Sequence, residues 1–227
     1  MFQDLRAVAI VSVKYKVQEI IDEVLSRLSK YFPSRSLAQW DKIAWRGGAM
    51  VRSSFNPQLI HIVEEDVVAV IALARLLHAK HILPAAFHVL HSLSPTMLLD
   101  GVTYDGEVVR ITDDDMQIFL SGRKKLLQAN TRVMRTFLDF ATTPELRPAK
   151  CVSPTHCQKA AELLSAAAID DLLYAKATPC DSLRDWLDKM QGGRTDTKPC
   201  SACRKAMNKI IDERRQEAWK PLGVTWR

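Results

Sequence analysis

Cysteine and histidine carry whatever chemistry this chain advertises. Cys200 and Cys203 form a CxxC at the start of a helical pattern, and well upstream Cys151 and Cys157 form a CxxxxxC. Zinc is held by tetrahedral sets of four thiolates, and a CxxC is a common half of such a set. Cys151, Cys157, Cys200 and Cys203 are therefore the candidate ligands of one structural zinc. The five-residue gap is an unusual zinc spacing, and His156 or Cys180 could replace one thiol. The plainer reading of the same residues is free thiols packed as small apolar side chains. A redox role for the CxxC needs a depressed thiolate pKa at a helix start and usually a βαβ setting, which the pattern along this chain lacks.

The histidines His78, His81, His88 and His91 make two HxxH pairs on either side of Pro84. A spacing of three on a helix puts both rings on one face, as a metal would require. No carboxylate is interleaved in the HExxH manner, and the neighbours are Leu, Ile, Ala and Phe, so these read as core or half-buried histidines. Asp113, Asp114 and Asp115 lack the staggered oxygen ligands and the glycine of a calcium loop, and read as acids opening a helix. GxxxxGK[ST], GxGxxG after a strand and GxSxG are absent from the sequence. Phosphate-cradling and serine-hydrolase chemistry thus lose their usual anchors, and the expectation is a protein that is not an enzyme.

The elements that must position these residues are almost all helical. Apolar residues recur at helical spacing through Leu5, Val8, Ala9 and Val13, then through Val17, Ile20, Ile21, Val24, Leu25 and Leu28, predicting two helices or one bent helix before Pro33. Ser36 can cap a short helix through Trp40, after which Gly47-Gly48 and the Ser53 to Pro57 region read as a connector. A long apolar segment from Ile60 to Leu77 carries Glu64, Glu65 and Asp66 near its first turn, where the helix dipole favours acids. Pro84 opens a further helix through Leu93. The run Val102 to Ile111 switches to β-prone residues around Asp105-Gly106 and predicts a hairpin. Thr112 and Asp115 form a capping box for a helix continuing toward Phe140, ended by Pro144 and Pro148. Helices from Pro154 to Tyr174, Cys180 to Met190 and Ser201 to Trp219 follow. The expected fold is all-α, an irregular helical bundle in two lobes (1–143 and 144–227) with one small β-hairpin near 102–111.

Composition fits such a protein: 227 residues, 47% hydrophobic, 26% charged, five cysteines and a net charge of +6. Disorder and low-complexity architectures are excluded on those figures. The stretch Ile82 to Leu99 has no acid, lysine or arginine, but Pro84, Pro95, two histidines and three hydroxyl residues make it a buried helical segment rather than a membrane span. No secretory pattern opens the sequence, and an odd cysteine count fits a reducing compartment; the expected location is intracellular, cytoplasmic or nuclear. Lys198 to Arg227 carries eight Lys or Arg and three acids, +5 in all. Such a tail can contact nucleic acid or an acidic partner, yet it lacks the aromatic interleaving of a single-strand-binding surface.

Three blocks together resemble a known family. Leu5 to Asp41, with Val13-Lys14-Tyr15-Lys16-Val17 and Leu28-Ser29-Lys30-Tyr31-Phe32-Pro33, is similar to the BACK-like helical region that follows the BTB/POZ domain in a large fungal family. Ala72-Leu73-Ala74-Arg75-Leu76-Leu77, Ile82-Leu83-Pro84-Ala85-Ala86-Phe87, Asp105-Gly106 and Leu120-Ser121-Gly122-Arg123-Lys124-Lys125-Leu126-Leu127 resemble its post-BTB helices in order and spacing. The cysteine-containing tail with Arg215, Trp219, Pro221 and Leu222 looks like its closing segment. No strand-rich BTB region precedes Leu5, so the resemblance implies the carboxy-terminal part of such a protein, a truncated copy or one with an incomplete amino terminus. It also implies a non-enzymatic protein-interaction module, with adaptor work for cullin-type ubiquitin ligases as the family's association. The alternative from the residues alone is a zinc-stabilised nucleic-acid-binding protein using the basic carboxy-terminal helix.

Overall fold

The computed structural model describes residues 2–33, 36–41, 43–46, 49–52, 62–104, 106–173 and 198–225. It is mostly helical, as the periodicity requires. The chain divides into two compact units, Met1–Gly122 with Pro221–Arg227, and Arg123–Lys220. The prolines after residue 143 suggested a different division from sequence. A boundary between Gly122 and Arg123 falls within one continuous helix, where composition changes nowhere abruptly.

In the first unit α1 (Phe2–Tyr15) and α2 (Gln18–Tyr31) are consecutive helices packed on each other and joined through Lys16 and Val17. Lys16 adopts φ +56°, and the Val17 N–H reaches back to the Ser12 carbonyl at 2.9 Å, so α1 ends in a Schellman turn with lysine in the place glycine usually takes. The short α3 (Leu37–Asp41) is capped as expected, the Gln39 N–H donating to Ser36 Oγ at 3.2 Å. β1 (Ile43–Arg46) and β2 (Ala49–Arg52) then pair antiparallel, with Ile43 opposite Arg52 and Arg46 opposite Ala49. This second hairpin corrects the expectation of one. Two glycines between β-prone runs turn a hairpin as readily as they stop a helix.

α4 (Val67–Leu76) follows a 3₁₀ turn at Glu64–Asp66, and α5 (Leu83–Leu90) follows a turn through Ala79. Every residue of α5 and most of α4 is buried, as a helix that is apolar all round must be. The helix expected to run through Leu93 ends at Leu90. Ser94 accepts the Met97 N–H at 3.2 Å, and with Pro95 it opens a separate helix, α6 (Pro95–Asp100). His78, at φ +53°, closes α4 in a second left-handed turn, with the Ala79 N–H on the Ala74 carbonyl at 2.7 Å. His78 and His81 therefore lie in a turn and are exposed, and share no helix face.

The expected hairpin is β3 (Val102–Tyr104) with β4 (Glu107–Val109), in the register Tyr104↔Glu107. Gly101 precedes it at φ +85°, where a Cβ would sit 2.4 Å from the Val109 carbonyl oxygen. Only glycine fits there. Tyr104 ties the hairpin inward: its hydroxyl donates to Asp66 Oδ1 at 2.9 Å, while Asp66 Oδ2 accepts the Val63 N–H at 2.9 Å. Burial first, and then the Asp66 carboxylate, push the Tyr104 hydroxyl pKa upward. Arg6 stacks over the Tyr104 ring at 5.5 Å and pairs with Glu107, which fastens α1 to the same hairpin.

α7 (Asp113–Thr142) starts from the Thr112 and Asp115 pair, the Asp115 N–H donating to Thr112 Oγ1 at 3.2 Å. Asp115 also accepts two bonds from Arg75 in the last turn of α4. Each charge complements the dipole of its own helix end. The second unit contains the later part of α7, a 3₁₀ turn at Pro144–Leu146, α8 (Pro154–Leu173) and α9 (Ser201–Thr225) as far as Lys220. Its core joins Met134, Phe140, Ala141, Cys157, Ala161, Cys203, Met207 and Ile211. The Cys180 to Met190 helix lies outside the described residues. Among the described residues no helix is long and apolar enough to cross a membrane.

Candidate metal centre

Four sulfurs meet in the second unit. The Sγ atoms of Cys151, Cys157, Cys200 and Cys203 all lie within 4.8 Å of one another, and all four are free thiols. A tetrahedral zinc with Zn–S near 2.3 Å separates its sulfurs by roughly 3.8 Å, so the cluster has the dimensions of a four-thiolate site. Cys157 and Cys203 are fully buried, and Cys151 and Cys200 half-buried at its edge.

Two helix starts bring the thiols together. Cys200 immediately precedes α9, its carbonyl accepting the Arg204 N–H at 2.9 Å, and Cys203 follows in the first turn. The CxxC thus straddles a helix N-terminus. On the other side Cys157 is in the first turn of α8, its N–H on the Ser153 carbonyl at 2.9 Å. Cys151 is in the segment before it, fixed by its N–H to the Pro148 carbonyl at 2.9 Å. The five-residue gap therefore spans a bend and then a helical turn, which carries both thiols to one place. Helix N-termini favour anions, and a zinc held by four thiolates is an anionic group of charge −2.

Backbone donors point at the sulfurs. The Cys200 N–H donates to Cys157 Sγ at 3.3 Å. For Cys200, desolvation pushes the thiol pKa up, but the backbone N–H groups of Cys203 and Val152, with the Cys203 and Cys157 thiols, outweigh it and hold the group down at about 6. Burial pushes Cys157 and Cys203 up, and their sulfur neighbours raise Cys203 further. One thiolate beside two buried thiols whose ionisation is suppressed is what crowding these sulfurs produces without a cation. A divalent ion would compensate all four charges.

His156 stands outside the cluster. It is exposed, and its Nε2 meets the Lys198 carbonyl at 3.0 Å, linking the start of α8 to the residues ahead of α9. It supports the site without contributing a ligand atom to it. Cys180 lies outside the described residues. The linker is held by Arg147, whose Nη2 donates to the Ala141 carbonyl at 2.9 Å and to Gln158 Oε1 at 3.1 Å. Neither this clamp nor the N–H donor of Val152 has a sequence signature, because both depend on the path of the backbone.

The histidine pairs form no comparable site. His88 is buried, with its ring edge-on to Trp40 at 5.0 Å, and burial lowers its pKa to about 4. His91 stacks beside Phe119 at 4.5 Å. These are aromatic packing contacts within the first unit. Along α9 a shallow groove is lined first by Lys205 and Lys209, then by Asp212, Glu213 and Glu217, and last by Lys220, and Arg215 is buried. The positive tail of the sequence is a surface of mixed sign where the structure describes it. Compared with protein-family models, with curated proteins and with solved structures, the chain has no match.

Proposed function

We propose that this chain is a non-enzymatic, helical protein-interaction module whose second unit is organised by one structural zinc on Cys151, Cys157, Cys200 and Cys203. The observation that carries this is the convergence of four thiols from two helix starts. A four-cysteine set fills every position of tetrahedral zinc and leaves none for substrate, so the metal's chemistry here is folding: it neutralises the thiolates and cross-links α8 to α9. The sequence resemblance to the BACK-like region of BTB/POZ proteins supports the interaction role and makes an adaptor the specific form of it. The nucleic-acid alternative is weakened by the acids Asp212, Glu213 and Glu217, which interrupt the positive charge of α9 between Lys209 and Lys220.

The test combines metal content with partner capture. Protein purified under reducing conditions without added metal is assayed for zinc, and the intact chain and a Cys200→Ser/Cys203→Ser variant are used as bait in extract of the native cell. The expected result is about one zinc per chain, and a specific partner recovered by the intact chain and lost with the variant. A chain without zinc that turned over a metabolite panel would overturn the proposal, as would salt-sensitive retention of the intact chain on DNA with no protein partner.

A further inference from the structure

The four sulfurs of the second unit are not equally sheltered. Cys157 and Cys203 are fully enclosed, whereas Cys151 and Cys200 stand half-buried at the edge of the cluster. A small oxidant therefore meets the edge sulfurs first. All four Sγ atoms lie within 4.8 Å of one another, so a sulfur oxidised at the edge has a second sulfur in reach before it climbs further up the oxidation ladder.

Of the two edge sulfurs, Cys200 has a partner placed by helix geometry. Its carbonyl accepts the Arg204 N–H at 2.9 Å, which makes it the residue that opens α9, and Cys203 follows in the first turn. Residues three apart at such a place have Cα atoms about 5 Å from one another, inside the roughly 4.4–6.8 Å that a disulfide spans. The S–S bond closes there within a single turn. Between Cys151 and Cys157 lie a bend and then the start of α8, and no regular element sets their spacing.

We propose, as a regulation of the site that rests on the zinc proposed for it, that hydrogen peroxide converts Cys200 and Cys203 to a disulfide and thereby expels the metal. Zinc holds its cysteines as thiolates, the form that attacks peroxide. The Cys200 sulfur attacks one peroxide oxygen, the O–O bond breaks and hydroxide leaves, giving a sulfenic acid. The Cys203 thiolate then attacks the Cys200 sulfur, the S–O bond breaks and a second hydroxide leaves. Two thiolates give up two electrons to form one S–S bond, and the peroxide becomes two waters with protons from solvent. Cys151 and Cys157 remain, two ligands where tetrahedral zinc needs four. Oxidation thus exchanges a link between α8 and α9 for one that lies wholly at the start of α9. No βαβ scaffold is required, because this disulfide is passed to no substrate.

The test uses the full chain loaded with zinc and freed of reductant. Hydrogen peroxide is added, metal release is followed with a chromogenic chelator, and the disulfides are mapped by mass spectrometry after alkylation. About one zinc per chain is expected to leave, with Cys200–Cys203 as the principal disulfide and faster hydrogen exchange in α8 and α9. Dithiothreitol with added zinc reverses all three. Cys200→His offers a nitrogen ligand at the accessible edge and cannot close the bond, and is expected to slow release at least about tenfold. The map is made on the intact chain and decides irrespective of that variant. A loaded chain that keeps its zinc in peroxide overturns the switch and leaves the zinc site standing, as does release with a principal disulfide other than Cys200–Cys203. A chain that takes up no zinc overturns both.

Discussion

The two units of this chain solve the same problem with different materials. The first fills its interior with carbon: α4 and α5 are buried almost throughout, with Phe2, Phe32, Phe87 and Phe119 among its fully enclosed side chains. Among its polar interior groups Asp66 is paired with Tyr104 and Asp115 with Arg75. In the second, the core residues include two methionines and two buried cysteines, with two more cysteines at the edge. Hydrophobic burial supports the first unit by itself, whereas four adjacent sulfurs are a poor filling without a cation between them. A small core supplemented by a metal is a familiar answer to insufficient apolar area.

The comparison breaks most visibly on metal removal. Structural zinc contributes on the order of 10 kcal/mol in small zinc-bound folds, with binding and folding inseparable. Cys203→Ser, or the intact chain with a strong chelator, is expected to abolish the cooperative unfolding and slow hydrogen exchange of α8 and α9. Amides of α4 and α5 should keep their protection. Exchange followed by mass spectrometry reads both units in one sample. Equal loss in both units, or no loss in either, would show that the sulfur cluster is not what organises the second.

The converse perturbation acts on the first unit. Gly101→Ala drives a methyl into the Val109 carbonyl at a backbone angle that only glycine holds comfortably, and is expected to lower the stability of that unit by about 2–3 kcal/mol. Zinc content should not change. Calorimetry with parallel metal analysis checks both halves of that statement; a variant that loses zinc as well would couple what the comparison separates.

What could be read from sequence follows from how local each signal is. The helical spacing of α1 and α2, the Ser36 and Thr112 caps and the Asp105-Gly106 hairpin signal each lie within a few residues, and each marks the element found there. The four cysteines were identifiable by type. Their joining in one four-thiol set was expected from the two pairs, but the path that achieves it was not, because the gap between Cys151 and Cys157 makes sense only once a bend and the first turn of α8 are in place. Signals with two meanings were misread: Gly47-Gly48 stops a helix or turns a hairpin, and the apolar run after Leu83 hides the start of α6. His78 shows no glycine where α4 ends, since a histidine takes the left-handed position there. Asp66 and Asp115 were correctly placed at helix starts, but each also has a partner some forty positions away, which no local pattern encodes.

The smallest effect distinguishes the units by acid. His88 is neutral in the folded chain down to about pH 4 because burial removes its imidazole from water, whereas an unfolded histidine titrates near 6.5. Between those values the unfolded chain binds a proton that the folded one refuses, so the contribution is intact above pH 6.5 and is lost as pH falls toward 4. At pH 5 the loss is about 2 kcal/mol. Acid would also reach the proposed zinc of the second unit by another route, since protonated thiols release the metal. His88→Phe separates the two. It keeps a ring against Trp40 and removes the titrating group, so the unfolding free energy of the first unit should flatten between pH 4 and 6.5 while zinc release stays where it was. A pH dependence of the first unit unchanged by His88→Phe would show that His88 is not the source of its acid sensitivity.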